Sequence, residues 1–95
     1  MTNQDVVINF LNKQFCKGSN LYAEDNKLYS YQTCIAEWYK DKLLVNLTKY
    51  SRSTTKHQSY IGNNINKIIP KINNKVYLLY DIPLGISYLN GYYKN

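Results

Sequence analysis

Asn46-Leu47-Thr48-Lys49-Tyr50-Ser51-Arg52-Ser53-Thr54-Thr55-Lys56-His57-Gln58 is the stretch on which the fold turns. It reads as the end of a strand, a hydroxyl-rich turn and the first turn of a helix. Ser53 or Thr54 is a natural N-cap, because a hydroxyl can accept from an amide two or three residues on. The stretch holds the only histidine and the only arginine of the chain, and no acid. A switch from strand to helix here places a sheet before the junction and a helical layer after it.

Upstream, Leu43, Val45 and Leu47 alternate with Leu44, Asn46 and Thr48, so the first set should face the core. Lys40-Asp41-Lys42 is a tight hairpin connection. Before it, Leu28 to Tyr39 reads as one long strand rich in Tyr, Thr, Ile and Trp. Neither face of that strand is cleanly polar, which suggests a central strand or a bulge partway along. Asp25-Asn26 is turn chemistry, and Leu21-Tyr22-Ala23-Glu24 is a short strand. Thr2 with Asp5 makes a weak capping box, and Val6, Val7, Phe10 and Leu11 repeat at helical spacing, predicting a first helix over residues 3–14.

Downstream, the second helix is expected to run to about Asn66, with Ile61, Ile65 and Ile68 along one stripe. Pro70 should stop it. Lys71-Ile72, an Asn73-Asn74 turn and Val76 to Tyr80 resemble a further strand or hairpin. Asp81 to Gly85 is a break, and Ile86 to Tyr93 is either a last strand pair or a partly ordered tail. The expectation is one α+β domain over residues 1–95: an α-β-β-β-α core with an antiparallel sheet over 1–66, and a β-rich C-terminal extension over 67–95.

Composition narrows the function. The hydrophobic fraction of 44% fits a globular chain. Eleven tyrosines among 95 residues could serve a core, a partner surface or a base-stacking platform, or simply reflect an AT-rich coding bias. The net charge is +6, and residues 42–80 hold no acid but seven cations: Lys42, Lys49, Arg52, Lys56, Lys67, Lys71 and Lys75. A one-signed half suggests an anionic partner, above all nucleic acid; the plain alternative is a solvated lysine face. Cys16 and Cys34 are too few for a secreted disulfide framework, and the start lacks the charged-then-apolar pattern of a signal peptide. A cytoplasmic setting is therefore expected. The longest apolar run, Val76 to Tyr80, is too short to span a bilayer.

Two blocks carry a resemblance. Leu28-Tyr29-Ser30-Tyr31-Gln32-Thr33-Cys34-Ile35-Ala36-Glu37, and then Asn46 to Gln58, resemble a family of short phage and mobile-element proteins of unknown function. Its pattern is L-Y-S-Y-x-T-x-I-A followed by N-x-T-K-Y-S-x-(S/T)-T-x-K-H-Q. The match covers residues of about 5 to 62. It implies a viral or mobile-element origin and a compact α+β fold, and no particular reaction.

The chemistry of the junction points to binding. Amides at a helix start carry partial positive charge. Ser53, Thr54 and Thr55 add hydroxyls, while Lys49, Arg52 and Lys56 can neutralise phosphates, with His57 beside them. The order helix, three strands, helix is similar in topology to the double-stranded RNA-binding fold. The simpler account is that the hydroxyls cap the helix, Tyr50 packs and the charges are solvated. One histidine and two distant cysteines make no zinc spacing, so no metal or cofactor is expected. A Cys34–His57 nucleophilic pair lacks any orienting group, and no pair of acids is placed for acid–base work; the chain is expected not to be an enzyme. Tyr29, Tyr31 and Tyr39 share one strand parity and could stack bases if uncovered. The first expectation is RNA or DNA binding through Lys49, Arg52, Ser53, Thr54, Thr55, Lys56 and His57. The alternative is an anti-CRISPR or other counter-defence inhibitor that binds a host defence protein or its guide-RNA complex through Tyr77, Tyr80 and Tyr88.

Overall fold

Thr2 opens the first element. Its hydroxyl accepts from the Asp5 amide at 3.1 Å, and the Asp5 carboxylate accepts from the Thr2 amide at 3.0 Å. The reciprocal pair satisfies two donors at the helix start and holds the Asp5 carboxyl below the ordinary carboxylate range. The helix, α1, spans Asn3–Leu11 in a computed structural model that describes residues 2–72 and 75–93. It ends before the predicted residue 14 because Lys13 takes a left-handed φ of 61°. The Lys13 amide then donates to the Phe10 carbonyl at 3.0 Å, and the Gln14 amide to Asn9 at 2.7 Å.

Four strands follow as an antiparallel meander: β1 (Leu21–Glu24), β2 (Lys27–Ser30), β3 (Thr33–Tyr39) and β4 (Lys42–Asn46). The expected single strand from Leu28 to Tyr39 is thus two strands. Tyr31 takes a φ of 59° and turns the chain at Tyr31-Gln32. The other two hairpins are built the same way, with Asp25 at φ 55° and Lys40 at φ 57°. A register shift between Leu28 and Tyr29 is the bulge that the mixed faces implied.

The second helix, α2, spans Arg52–Ile72. It begins and ends outside the expected bounds. Ser51 is the residue that caps it: its Oγ accepts from the Thr54 amide at 3.2 Å. Pro70 lies in the last turn and does not stop the helix before it. There the missing N–H removes one helical bond near an end that frays anyway. The final strand, β5 (Lys75–Leu79), pairs with β4 in parallel, so the sheet is mixed rather than antiparallel, in the order β1-β2-β3-β4-β5. A 21-residue helix carries the chain back along β4, and only a parallel strand can then be laid beside it. The predicted Asn73-Asn74 turn lies outside the described residues.

Both helices pack on one face of the sheet. Val6, Val7, Phe10, Leu11 and Ile61 meet Leu21, Leu28, Ile35, Trp38, Leu43 and Val45, with Leu47, Ile65 and Ile68 at the margin. The alternation of β4 and the stripes of both helices are therefore as expected. The Trp38 indole N–H donates to the Phe10 carbonyl at 2.8 Å and ties the sheet to α1.

The second face is covered by the chain after β5. Asp81, at φ 58°, redirects it. Residues 81–93 then cross the sheet with no strand among the described residues, only a single 3₁₀ turn at Asn90–Tyr92. The β-rich extension is thus one strand and a strap. Ile82 and Leu89 bury against Cys34 and Leu44, flanked by Tyr29, Tyr39, Tyr77, Tyr92 and Tyr93. Burial of each such aliphatic side chain contributes about 1.5–3 kcal/mol. Tyr29 and Tyr39, two of the candidate stacking rings, are therefore covered, and Tyr31 stands in a turn.

Main-chain groups of the strap are held by the sheet. The Cys34 amide donates to the Ile86 carbonyl at 2.8 Å, the Tyr29 hydroxyl to Ser87 at 2.8 Å, and the Gly85 amide to the Thr33 hydroxyl at 3.1 Å. The fully buried Glu37 takes the Leu89 amide on Oε1 at 2.7 Å and the Asn90 side-chain amide on Oε2 at 2.8 Å. In Glu37→Ala both donors lose their acceptor. We expect a loss of about 2–3 kcal/mol in urea unfolding and proteolytic cutting within residues 84–91 under native conditions.

Candidate nucleic-acid interface

The junction between β4 and α2 is held from inside. Asn46 is fully buried; its side-chain amide donates to the Cys34 carbonyl at 3.2 Å and the Tyr50 hydroxyl at 2.9 Å, and its Oδ1 accepts from the Thr48 amide at 3.0 Å. Gln58, one turn and a half into α2, reaches back. Its Nε2 donates to the carbonyls of Asn46 at 2.7 Å and Thr48 at 2.9 Å. Tyr50 donates to the Ile82 carbonyl at 2.7 Å, and Thr48 Oγ1 accepts from the Ile82 amide at 2.9 Å, so the strap is tied to the same junction. Every buried side-chain nitrogen and oxygen among the described residues has a partner.

This network divides the predicted site. Thr54 and His57 point inward and are 4% and 5% exposed. Ser30 Oγ lies 2.6 Å from His57 Nδ1 and donates to Thr54 Oγ1 at 3.2 Å, and the Asn3 amide lies 3.4 Å from His57 Nε2. With Asn3 as donor, the partners assign the tautomer: Nε2 accepts, and Nδ1–H donates to Ser30. The Tyr31 ring stacks on the imidazole, with centroids 5.9 Å apart. Burial, helped by the nearby Lys56 charge, pulls the His57 pKa below its ordinary value. Neither Ser30 nor Asn3 stood out in the sequence, since their partner lies 27 and 54 residues away.

Lys49, Arg52, Ser53, Thr55 and Lys56 are exposed. They share the outer surface of the α2 start with one another, and Lys67 is exposed further along the helix. The helix carries no acidic residue; Arg52 and Lys56 stand one turn apart at its start, and Lys67 follows about 16 Å further along the axis at a rise of about 1.5 Å per residue. Beside its first turn lies a cleft of about 320 Å³ lined by Ser30, Tyr31, Thr33, Tyr50, Ser51, Thr54 and Leu84. Four of its seven lining residues are serine or threonine, and their hydroxyls are bonded within the protein: Ser30 and Ser51 donate to Thr54, and Thr33 accepts from Gly85.

The structure separates the Cys34–His57 pair considered from the sequence. Cys34 packs in the cluster beneath the strap, on the face of the sheet away from the helices, and so away from His57. Burial, with the neighbouring Glu37, pushes its thiol up to about 12, far from the thiolate a nucleophile needs. Among the described residues no three His, Cys, Asp or Glu side chains converge as a metal site would require. Of the other predicted contacts, Tyr77 is half-buried and meets Tyr93 edge-on at 4.9 Å, whereas Tyr80 and Tyr88 are 60% and 44% exposed.

A family model described as a family of unknown function, DUF8033, matches residues 4–76. The chain belongs to this family. No curated protein and no solved structure matches the chain. The matched region runs from α1 into β5, so it contains the junction from Asn46 to Gln58; Asn3 and the strap over residues 81–93 lie outside it. In this DUF8033 chain no helix among the described residues is long and apolar enough to cross a membrane.

Two outcomes test the inward half of the junction. Gln58→Ala strips two carbonyls of their buried donor and should cost about 2–3 kcal/mol in urea denaturation, whereas Arg52→Ala, at an exposed position, should stay within about 0.5 kcal/mol. The second concerns pH. A histidine whose folded pKa is lowered is more easily protonated in the unfolded chain. Its contribution to stability is complete above the unfolded pKa of about 6.5 and is lost as pH falls through that value toward the folded one. Thermal melts from pH 7.5 to 5 should therefore show a decline that His57→Gln flattens; identical slopes in the two proteins would refute it.

Proposed function

We propose that this chain is a small, non-enzymatic accessory protein of a phage or mobile element, acting in the cytoplasm of its bacterial host and binding nucleic acid through the outer surface of the β4–α2 junction. The observation that carries this reading is the arrangement of charge. Lys49, Arg52 and Lys56 are exposed together at the mouth of α2, Lys67 continues the line, and the 39 residues from 42 to 80 bring no acid near them. Arg52 and Lys56 stand one turn apart, about 6 Å along the helix axis, a separation at which two cations can neutralise neighbouring phosphates. Ser53 and Thr55 stand exposed between the cations, where their hydroxyls can meet sugar or phosphate oxygens. Thr54 and His57 serve this surface by fixing the helix start from below, not by touching the ligand.

The test is fluorescence anisotropy with labelled duplex and single-stranded RNA and DNA across a salt series. Binding should weaken linearly in log–log form as salt rises. Arg52→Ala with Lys56→Ala should make the slope shallower by about 2, one for each lost phosphate contact. Retained binding with an unchanged slope would refute the assignment, as would no binding to any of the four probes at low salt.

A second reading is favoured by a separate observation. Tyr80, Leu84 and Tyr88 are large, exposed and gathered on the C-terminal segment, at 60%, 73% and 44% exposure. Such residues suit a protein partner, and a counter-defence inhibitor of a host defence protein or its guide-RNA complex would use them. A complex that survives both nuclease and high salt and is lost in Tyr80→Ala or Tyr88→Ala would replace the nucleic-acid reading with this one.

A further inference from the structure

The sheet has two outer edges, and the chain treats them differently. At β1 the segment after α1 folds alongside. The Ala23 amide donates to the Cys16 carbonyl at 2.8 Å, the Gly18 amide to Leu21 at 3.0 Å, and Lys17 bridges Tyr22. That edge is closed. At β5 nothing comparable exists among the described residues: the strand is bonded to β4 on one side and to no strand on the other. The Leu79 carbonyl accepts from the Leu47 amide at 2.8 Å, which turns the main-chain groups of Leu79 toward β4. By the two-residue period Tyr77 does the same, and Val76 and Leu78 turn theirs outward. This edge is weakly defended. It carries no proline and no bulge, and its one lysine stands at the start. Leu78 is 50% exposed on it, and Tyr80 just beyond is 60% exposed.

We infer that the open edge of β5 is a self-association surface, on which a second copy of this chain adds its own β5 in antiparallel register centred on Leu78. Three features select that occupant and that register. An antiparallel symmetric pair must set outward-facing residues opposite one another, and pairing about Leu78 sets Leu78 against Leu78 and Val76 against Tyr80 of the other copy. The same register sets Lys75 opposite Asp81, the nearest charges on either side of the strand. Centring on Tyr77 instead would place Lys75 opposite Leu79, and centring on Val76 would place it opposite Tyr77, leaving the charges unmatched. Lys75 and Asp81 are both exposed, and neither forms an ion pair among the described residues. The two-fold axis then stands perpendicular to the sheet, which keeps both helical layers on one side. The basic faces of the two α2 helices are brought onto a common surface, although the pairing itself does not depend on what they bind.

The interface is small, so a dimer in the micromolar range is expected. Sedimentation velocity of the full chain over a micromolar concentration series should show a monomer–dimer equilibrium. Leu78→Lys should leave only monomer. Lys75→Glu faces Asp81 with a like charge and should weaken the dimer by about tenfold, and adding Asp81→Lys should restore it. Lysine is tolerated at such a left-handed position, since Lys13 and Lys40 already occupy one in this chain. Hydrogen exchange on the wild-type protein reports the edge directly: the Val76 and Leu78 amides should slow with rising concentration while the exposed helix start does not. A wild-type chain that stays monomeric throughout overturns the inference. So does a dimer indifferent to Leu78→Lys, a double variant no tighter than Lys75→Glu, or exchange at Val76 and Leu78 that ignores concentration.

Discussion

The grip of Gln58 on the Asn46 and Thr48 carbonyls is the constraint from which the rest of the structure follows. A chain that leaves a buried strand and enters a helix within six residues must find partners for the main-chain groups that the turn takes out of the sheet ladder and partly out of water. Here a helix side chain supplies the donors, and the Asn46 side chain supplies both donor and acceptor to its neighbours. With the junction pinned, α2 has one direction available across the sheet, and β5 is delivered in parallel to the far side of β4. A looser junction would leave that long, mostly polar helix with only a narrow apolar stripe to orient it.

The two faces of the sheet are covered by different means. Two helices bury the first through aliphatic contacts at helical spacing. The second is closed by an irregular strap that could not hold itself by regular hydrogen bonding. Its amides and carbonyls are therefore met one at a time, by Thr33, Cys34, Tyr29, Thr48, Tyr50 and the buried Glu37 carboxylate. Much of the tyrosine content is absorbed here: Tyr29, Tyr39, Tyr77, Tyr92 and Tyr93 place their rings against the cluster. The abundance of tyrosine thus has a packing explanation over this face and leaves few rings free for recognition.

Within the stretch from Asn46 to Gln58 the polar side chains fall into two sets. Asn46, Thr48, Tyr50, Ser51, Thr54, His57 and Gln58 spend their hydrogen bonds on the protein itself. Lys49, Arg52, Ser53, Thr55 and Lys56 face outward. The density of hydroxyls and cations that draws the eye in the sequence is therefore two populations interleaved at helical spacing, one that builds the junction and one that the junction displays.

The sequence alone determined the elements whose signal is local. The spacing of Val6, Val7, Phe10 and Leu11 is enough for α1, the alternation of Leu43, Val45 and Leu47 for β4, and the isoleucine stripe for the buried side of α2. It could not disclose the Tyr31 turn, because no glycine, asparagine or aspartate marks that left-handed residue; the Ser30, Tyr31 and His57 contacts that surround it are made by distant parts of the chain. The parallel placement of β5 and the strap over the second face were likewise settled only by tertiary structure. Strand direction depends on where a crossover lands, and an irregular segment has no periodicity to read: its course is set by which buried groups across the sheet still need a partner.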